Sequence, residues 1–160
     1  MTSSSATSGK ASAPLILARD LRFTVAGAAG PVNILRGVDL AINAGETLGL
    51  IGPSGSGKTS LLMLLAGLER PSGGTLEVAG QEVGKLDEDS LARFRQQSLG
   101  IVFQAFHLVP TMTALENVAI PLEFAGRPDA FERAAEALSA VGLGHREGHY
   151  PGQLSGGEQQ

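Results

Sequence analysis

The segment Gly52-Pro53-Ser54-Gly55-Ser56-Gly57-Lys58-Thr59 decides the fold of this 160-residue chain. It matches the pattern G-x-x-x-x-G-K-[ST], with a short apolar run at 47–51 before it and an apolar stretch at 58–67 after it. A strand buried on both faces, a glycine-rich turn and a helix, in that order, form a loop that binds phosphate. The alternative is a glycine-rich hairpin with an incidental lysine, which would not require the flanking strand and helix.

The residues of this loop have distinct predicted roles. The glycines bring backbone N–H groups close to phosphate oxygens, and the helix N-terminus adds unpaired N–H groups and a partial positive charge. Lys58 is expected to reach the β- and γ-phosphates of a nucleoside triphosphate and to act as a catalytic residue, and the Thr59 hydroxyl is expected to ligate Mg²⁺. The predicted nucleotide ligands are Gly52, Pro53, Ser54, Gly55, Ser56, Gly57, Lys58, Thr59 and Ser60.

The composition restricts the class of protein. Hydrophobic residues make up 42% of the chain, which is enough for a sizeable core. The formal net charge is −4, and residues 81–160 carry 11 acidic and 6 basic side chains, so no basic stripe indicates nucleic-acid binding. The lack of cysteine excludes disulfides, cysteine-ligated zinc and thiol catalysis. Residues 1–14 are predicted to be a disordered tail without a signal peptide, and no apolar run is long enough for a membrane helix.

Outward from the loop, the pattern predicts strands and helices on both sides. Strands are expected at 15–23, 34–42 and 47–51, two short strand segments at 75–83, and a buried strand at 99–103. A helix is expected at 87–97 with Asp87 as its cap. Thr113-x-x-Glu116 is a capping box that opens another helix, which Pro121 should end or kink. A last amphipathic helix should start at Pro128-Asp129 and run through Val141, with Gly142 as its C-cap. The positions expected on its apolar face are Phe131, Ala134, Ala135, Leu138 and Val141.

A second phosphate-binding feature lies at Leu154-Ser155-Gly156-Gly157-Glu158-Gln159. Ser155-x-x-Glu158 is a capping box at a helix start, and a serine cap followed by two glycines is also able to bind an anion. By itself this segment is a modest signal. Together with the loop at Lys58, 96 residues upstream of Leu154, it is a strong one.

These motifs resemble those of the ABC ATPases. LSGGEQQ resembles their signature motif, GPSGSGKT their Walker A motif, and Phe103-Gln104 their Q-loop. The resemblance implies an α/β P-loop NTPase with an antiparallel β-subdomain, a parallel core sheet and a partial helical subdomain. On this basis 15–104 should form the β-subdomain and P-loop core, and 105–160 the helical subdomain up to the signature motif.

The resemblance also implies a mechanism and partners. The cofactors would be ATP and Mg²⁺, and Gln104 would approach both the Mg²⁺ and the attacking water, as a metal-binding and catalytic residue. Two nucleotide-binding domains would pack head to tail, with Ser155, Gly156 and Gly157 contacting the ATP bound by the other subunit. The chain would attach to a transmembrane permease, and so lie in the cytoplasm on the inner face of the plasma membrane, with no membrane span of its own and no nucleic-acid partner.

The segment from Phe103 to Val118 indicates which group within this family the chain resembles. Its pattern FQxFxLxPxxTxxENV is similar to that of the export group of ABC ATPases, which includes the lipoprotein-release, macrolide-export and Ybb-type subunits. In that group ATP turnover drives a membrane partner with a large extracytoplasmic domain. The transported molecule is not readable from these residues.

Two departures from the family pattern carry predictions. Val25 falls where the family usually has an aromatic residue against adenine, so nucleotide selectivity should be weak, and Val25→Tyr should tighten ATP binding. The Walker B strand and the switch histidine would follow Gln160, so the chain is expected to be truncated, marginally stable, prone to aggregate and inactive in hydrolysis by itself. His107, His145 and His149 are expected to be loop histidines without a catalytic role.

Three other functional classes are the alternatives to this interpretation. A non-transport ABC ATPase, for example in DNA repair, usually has a long insert between the two motifs, which the spacing of 96 residues does not allow. A P-loop kinase or another NTPase class would leave the signature and Q-loop resemblances unexplained. The third class is a nucleotide-binding module without catalytic activity.

Overall fold

The structure, a computed structural model, describes residues 13–28, 30–103 and 105–160. These residues divide into two compact units, one ending at Gly100 and the other spanning Ile101–Gln160. Most of the N-terminal tail expected at 1–14 lies outside the described residues. Among the residues that are described, no helix has both the length and the apolar character needed to cross a membrane.

The first unit is built on an antiparallel sheet of four strands in the order β2-β1-β3-β4. The strands are β1 (Ile16–Gly27), β2 (Gly30–Ile42), β3 (Gly73–Val78) and β4 (Gln81–Glu82). Their positions confirm the strands expected at 15–23, 34–42 and 75–83. Ala79 and Gly80 connect β3 to β4 with positive φ angles of 50° and 76°, as a tight turn matching the strand twist requires.

A bulge interrupts β1, one of the two inner strands of this sheet. Its pairing with β2 shifts between Ala18 and Leu21, and its pairing with β3 shifts between Arg19 and Arg22. Asp20 lies in the bulge with φ 47°, and a Cβ atom on Gly74 of β3 would collide with the Asp20 backbone. Glycine at position 74 therefore lets the neighbouring strand pass close to the bulge.

Two helices cover the sheet of the first unit and close its core. They are α1 (Lys58–Leu65) and α2 (Glu88–Ser98), and Asp87 caps α2 by accepting a hydrogen bond from the Ser90 N–H at 2.8 Å, as predicted. Leu21, Leu64 and Leu76 are fully buried between the layers. Burial of each such side chain stabilises the fold by about 1.5–3 kcal/mol. This core fixes the position of α1 and of the loop before it.

The prediction of strands at 47–51 and 99–103 is wrong. Both segments are described, but neither joins a sheet, and β1 to β4 pair only among themselves. Ile51 is 96% exposed and Val102 is 83% exposed. A strand needs a neighbour to satisfy its backbone N–H and C=O groups, and no described segment offers one to these two. The sheet that is present is antiparallel, and the parallel core sheet is not formed by the described residues.

The second unit contains α3 (Ala114–Phe124), α4 (Ala130–Ala140) and the short α5 (Gly156–Gln159), with single 3₁₀ turns at Gly144–Arg146 and Pro151–Gln153. The capping box of α3 is confirmed, since the Thr113 N–H donates to Glu116 Oε2 at 2.7 Å and the Glu116 N–H to Thr113 Oγ1 at 3.3 Å. Pro121 does not end α3, which continues to Phe124 because the next turn closes from Ala125 N–H to the Pro121 carbonyl at 3.2 Å.

The amphipathic helix α4 packs against the rest of the second unit through small residues. Ala130, Ala134 and Leu138 are buried, whereas Phe131 and Val141 are 45% and 70% exposed, so their assignment to the apolar face is wrong. The burial expected at Ala134 and Leu138 is confirmed, but Ala130 rather than Phe131 begins the buried stripe. Gly142 ends the helix with φ 80°, and its N–H donates to the Ser139 carbonyl at 2.9 Å, as the C-cap prediction requires.

Candidate nucleotide-binding site

The glycine-rich loop ends at Gly57, which is the N-cap of α1. Gly57 has φ 87°, and its carbonyl accepts the first helical hydrogen bond, from Leu61 N–H at 2.8 Å. The N–H groups of the first turn have no acceptor within the helix, and Gly57 has no side chain with which to cap them. These N–H groups and the positive end of the helix form a site that attracts an anion.

The surroundings of Gly57 require glycine at this position. A Cβ atom there would lie 3.0 Å from Leu35 Cδ2 and 3.4 Å from Ile34 Cγ2, both on β2. Gly55 also has a positive φ, 79°, but a Cβ atom on it would meet nothing within 4 Å. Gly57 therefore serves both the turn and the close approach of the loop to the sheet, whereas Gly55 serves the turn alone.

The side chain of Lys58 folds back across the loop. Its Nζ donates hydrogen bonds to the carbonyl oxygens of Gly52 at 3.0 Å and Pro53 at 2.7 Å, and lies 3.3 Å from Ser56 Oγ. The ammonium group is therefore held by the same loop that leads into the N-terminus of α1. A cation and a set of backbone N–H donors from one short segment form an arrangement suited to a chain of phosphate groups.

The loop encloses a cavity of about 280 Å³. Its walls are formed by seven consecutive residues and one residue from β2, namely Ser54, Gly55, Ser56, Gly57, Lys58, Thr59, Ser60 and Ile34. Seven of the nine predicted loop ligands thus line one cavity. Gly52 and Pro53 contribute by holding Lys58, and they line a second cavity of about 320 Å³ together with apolar side chains such as Leu35 and Leu61.

A bound Mg²⁺ ion would depend on Thr59 and on ligands outside the protein. Thr59 is exposed and lines the cavity. In the parts of the chain that the structure describes, no group of three or more His, Cys, Asp or Glu side chains could hold a metal. Mg²⁺ commonly binds through one or two protein oxygens together with substrate phosphates and water, so the single hydroxyl of Thr59 fits this kind of site.

The predicted Q-loop residue Gln104 lies outside the described residues. Its neighbour Phe103 is 41% exposed and makes an edge-on contact with the ring of His107, with 5.0 Å between the ring centres. His107 and His145 are exposed, as expected for loop histidines, whereas His149 is half-buried with its Nε2 3.2 Å from Arg146 Nη1.

The signature-like segment has the local structure that its sequence predicted. The Ser155 N–H donates to Glu158 Oε2 at 2.7 Å, and the Glu158 N–H donates to Ser155 Oγ at 3.4 Å, which forms the capping box of α5. Leu154 is buried and anchors the segment, while Ser155, Gly156 and Gly157 are exposed. Hydrogen bonds from Ser155, first from its backbone, together with the charge of Arg146, lower the pKa of the Glu158 carboxyl.

Two structurally important residues were missed by sequence reasoning. Asn117 lies in the first turn of α3, and its side-chain amide donates to the carbonyls of Val109, Met112 and Thr113 at 2.9–3.2 Å and accepts from the Val109 N–H at 2.7 Å. The tendency of asparagine to bond nearby backbone was a signal for this role. Ile34 reaches the loop cavity through an irregularity of β2 for which the sequence pattern offers no signal.

Comparison with known proteins identifies the family. The model of the ABC transporter family matches residues 35–160, and the chain belongs to this family. Among its relatives is the lipoprotein-releasing system ATP-binding protein LolD 2 of Caulobacter vibrioides, 49% identical over 149 residues, which cover 92% of this chain and 65% of the relative.

Two further matches agree with this assignment. The pyoverdine export ATP-binding/permease protein PvdT of Pseudomonas fluorescens is 47% identical over 150 residues, covering 92% of this chain and 23% of that protein. A dimeric structure of the ATP-binding cassette MJ0796 bound to ADP and Pi superimposes with a TM-score of 0.83 at 35% identity, covering 90% of this chain and 65% of the cassette. The chain thus spans about 65% of the length of LolD 2 and of MJ0796.

Proposed function

We propose that this chain is the ATP-binding part of an ABC transporter that drives export or lipoprotein release. The observation that carries the proposal is the cavity of about 280 Å³ formed by the glycine-rich loop, the start of α1 and Lys58. The relatives named as ATP-binding proteins of lipoprotein release and of pyoverdine export support transport over DNA repair, a P-loop kinase or an inactive binding module.

In this proposal the loop and the first turn of α1 bind the phosphates of ATP. The first-turn N–H groups of α1 bind phosphate oxygens, and Lys58 places its positive charge beside the β- and γ-phosphates. The Thr59 hydroxyl ligates Mg²⁺, which when bound supplies further neutralisation of phosphate charge. Gln104 is proposed to approach the same ion and the attacking water.

The exposed Ser155, Gly156 and Gly157 are proposed to act on a second copy of the ATP site. These three residues are exposed at the surface of the second unit, where another subunit is able to approach the Ser155 hydroxyl and the two glycines. In a head-to-tail dimer they would contact ATP held by the Lys58 loop of the partner. The matched dimeric cassette bound to ADP and Pi supports this arrangement.

Hydrolysis is proposed for the complete protein and not for residues 1–160 alone. Phosphoryl transfer to water needs a group that orients or deprotonates the water. No Asp or Glu is among the described residues that line the loop cavity. We therefore expect the isolated chain to bind ATP and to release phosphate no faster than the background rate. The permease partner and the place at the inner face of the plasma membrane belong to this proposal as well.

The proposal is tested by titrating the chain with Mg·ATP. Lys58→Ala should weaken binding by a factor of about ten or more, because it removes a charge-assisted contact to phosphate. Lys85→Ala is the matched control, since Lys85 is exposed and pairs with Glu82 at 2.9 Å away from the loop. Unchanged affinity in Lys58→Ala, or equal losses in both variants, would show that the loop is not the ATP site.

A further inference from the structure

One wall of the loop cavity comes from a strand distant in sequence. Ile34 of β2 lines this cavity together with Ser54–Ser60 of the loop and α1. Ile34 is half-buried, and it is the only lining residue outside the 54–60 segment among the residues that the structure describes. The cavity is therefore polar along the loop and aliphatic on the side of β2.

An irregularity of β2 places Ile34 at this wall. Phe23 of β1 pairs with Leu35 and the next residue, Thr24, pairs with Asn33, so Ile34 is left over as an extra residue in its strand. Leu35 points into the core and is 7% exposed. A Cβ atom on Gly57 would lie 3.4 Å from both Ile34 Cγ2 and the Ile34 carbonyl oxygen. The bulge thus holds Ile34 in contact range of the helix N-terminus.

The position of Ile34 indicates which part of a ligand it would meet. Phosphates held by the loop and by α1 occupy the polar side of the cavity, which leaves the aliphatic wall for the rest of the nucleotide. The second cavity, of about 320 Å³, lacks Thr59 and Ser60 of the first helical turn, so it is the less suitable place for the ligand.

We propose that Ile34 forms the nucleoside-contacting wall of this site, and that it holds the sugar and base by aliphatic contact without reading their polar groups. This inference rests on the proposed function. An aliphatic wall gains energy from buried apolar area, but it does not distinguish the amino and carbonyl groups of different bases. Phe23 is unable to stack on the base, because it is buried in the core with only 7% of its surface exposed.

The test is a comparison of three ligands, Mg·ATP, Mg·GTP and inorganic tripolyphosphate, by equilibrium titration of the full chain. The unchanged chain should bind ATP and GTP with affinities that differ by less than about tenfold. Ile34→Ala should weaken the binding of both nucleotides by about tenfold, because apolar contact is lost, and should leave the affinity for tripolyphosphate unchanged. Leu62→Ala is the matched control, because Leu62 is an aliphatic residue of α1 that is 55% exposed and does not line the cavity.

Each result bears on the inference. If Ile34→Ala weakens the binding of tripolyphosphate as much as that of the nucleotides, Ile34 acts through the shape of the loop. If the affinity for ATP is unchanged, Ile34 does not contact the nucleoside. A strong preference for ATP over GTP would also overturn the inference. If Ile34→Ala does not fold, Ile34→Thr takes its place, because it keeps the β-branched side chain of the strand residue. It should also weaken nucleotide binding. Failure of the unchanged chain to bind any of the three ligands would instead overturn the proposed function.

Discussion

The Nζ atom of Lys58 donates a hydrogen bond to the carbonyl oxygen of Pro53 at 2.7 Å. This contact closes the glycine-rich loop over its own lysine and keeps the ammonium group beside the first turn of α1. Phosphate oxygens entering the cavity meet a cation and backbone N–H groups that are already directed at one place. The loop is therefore arranged for phosphate by local structure alone, within the first unit.

Replacing Gly57 with alanine should destabilise the first unit and weaken nucleotide binding. A left-handed backbone costs alanine about 1–2 kcal/mol. At Gly57 the added Cβ would also press on Leu35 Cδ2 at 3.0 Å. Gly55→Ala is the control, because it has the same backbone strain in open space. Urea unfolding should show a larger loss for Gly57→Ala, and equal losses would remove the role assigned to the contact with Leu35.

Replacing Asn117 with aspartate should loosen the segment before α3. The aspartate keeps the size of the side chain and its acceptor for the Val109 N–H, but it loses the amide that donates to the carbonyls of Val109, Met112 and Thr113. Leaving such groups unpaired costs about 1–3 kcal/mol. Urea unfolding is the measurement, with Glu123→Gln on the exposed face of α3 as the control. A stability equal to that of the control would contradict the clamping role of Asn117.

The Arg127–Asp129 pair should contribute stability that depends on pH. Hydrogen bonds from the Arg127 side chain, at 2.9 and 2.8 Å, lower the pKa of Asp129 from 3.8 to about 2. A lowered folded-state pKa means that the contribution is complete above pH 3.8 and is lost as the pH falls towards about 2. The unfolding midpoint of Asp129→Asn should therefore lie below that of the unchanged chain at neutral pH and approach it in acid.

The control for this pH dependence is Glu132→Gln, another carboxylate in the first turn of α4. No ion pair involves Glu132 among the described residues. The difference in unfolding midpoint between Glu132→Gln and the unchanged chain should therefore not shrink as the pH falls. A difference between Asp129→Asn and the unchanged chain that stays constant from neutral pH down to about pH 3 would contradict the assignment to Arg127.

The exposed apolar residues 101–103 should promote aggregation. Val102 is 83% exposed, and its segment joins no sheet among the described residues, so its backbone groups are able to pair with another chain. Val102→Lys should raise the concentration at which light scattering appears, because charge on an edge opposes pairing. Val141→Lys replaces a residue directly after α4 that is 70% exposed, and it should have the smaller effect. If both variants behave alike, general surface hydrophobicity and not strand pairing is the cause.

Local sequence signals predicted the parts of the structure that depend on near neighbours. The capping boxes of Thr113 and Ser155, the Asp87 cap and the Gly142 C-cap each need only three or four residues, and all are present. The glycine-rich loop followed by α1 was predicted for the same reason, since its pattern contains both the turn and the helix start.

Features that depend on distant partners were not predictable in this way. The apolar runs at 47–51 and 99–103 have the composition of strands, but a strand exists only when another strand satisfies its backbone groups. Ile34 reaches the loop because β2 contains one residue more than the pairing with β1 requires, and no local pattern marks that residue. The burial of Ala130 in place of Phe131 depends likewise on how α4 packs within its unit.

The central claim, that the glycine-rich loop binds the phosphates of ATP, is tested most directly by an NMR titration of the ¹⁵N-labelled chain with Mg·ATP. The account predicts that the largest amide shifts fall on residues 55–60, that Ile34 also shifts, and that tripolyphosphate reproduces the loop shifts without the Ile34 shift. Shifts that cluster outside the loop and α1, with residues 55–60 unaffected at saturation, would contradict it.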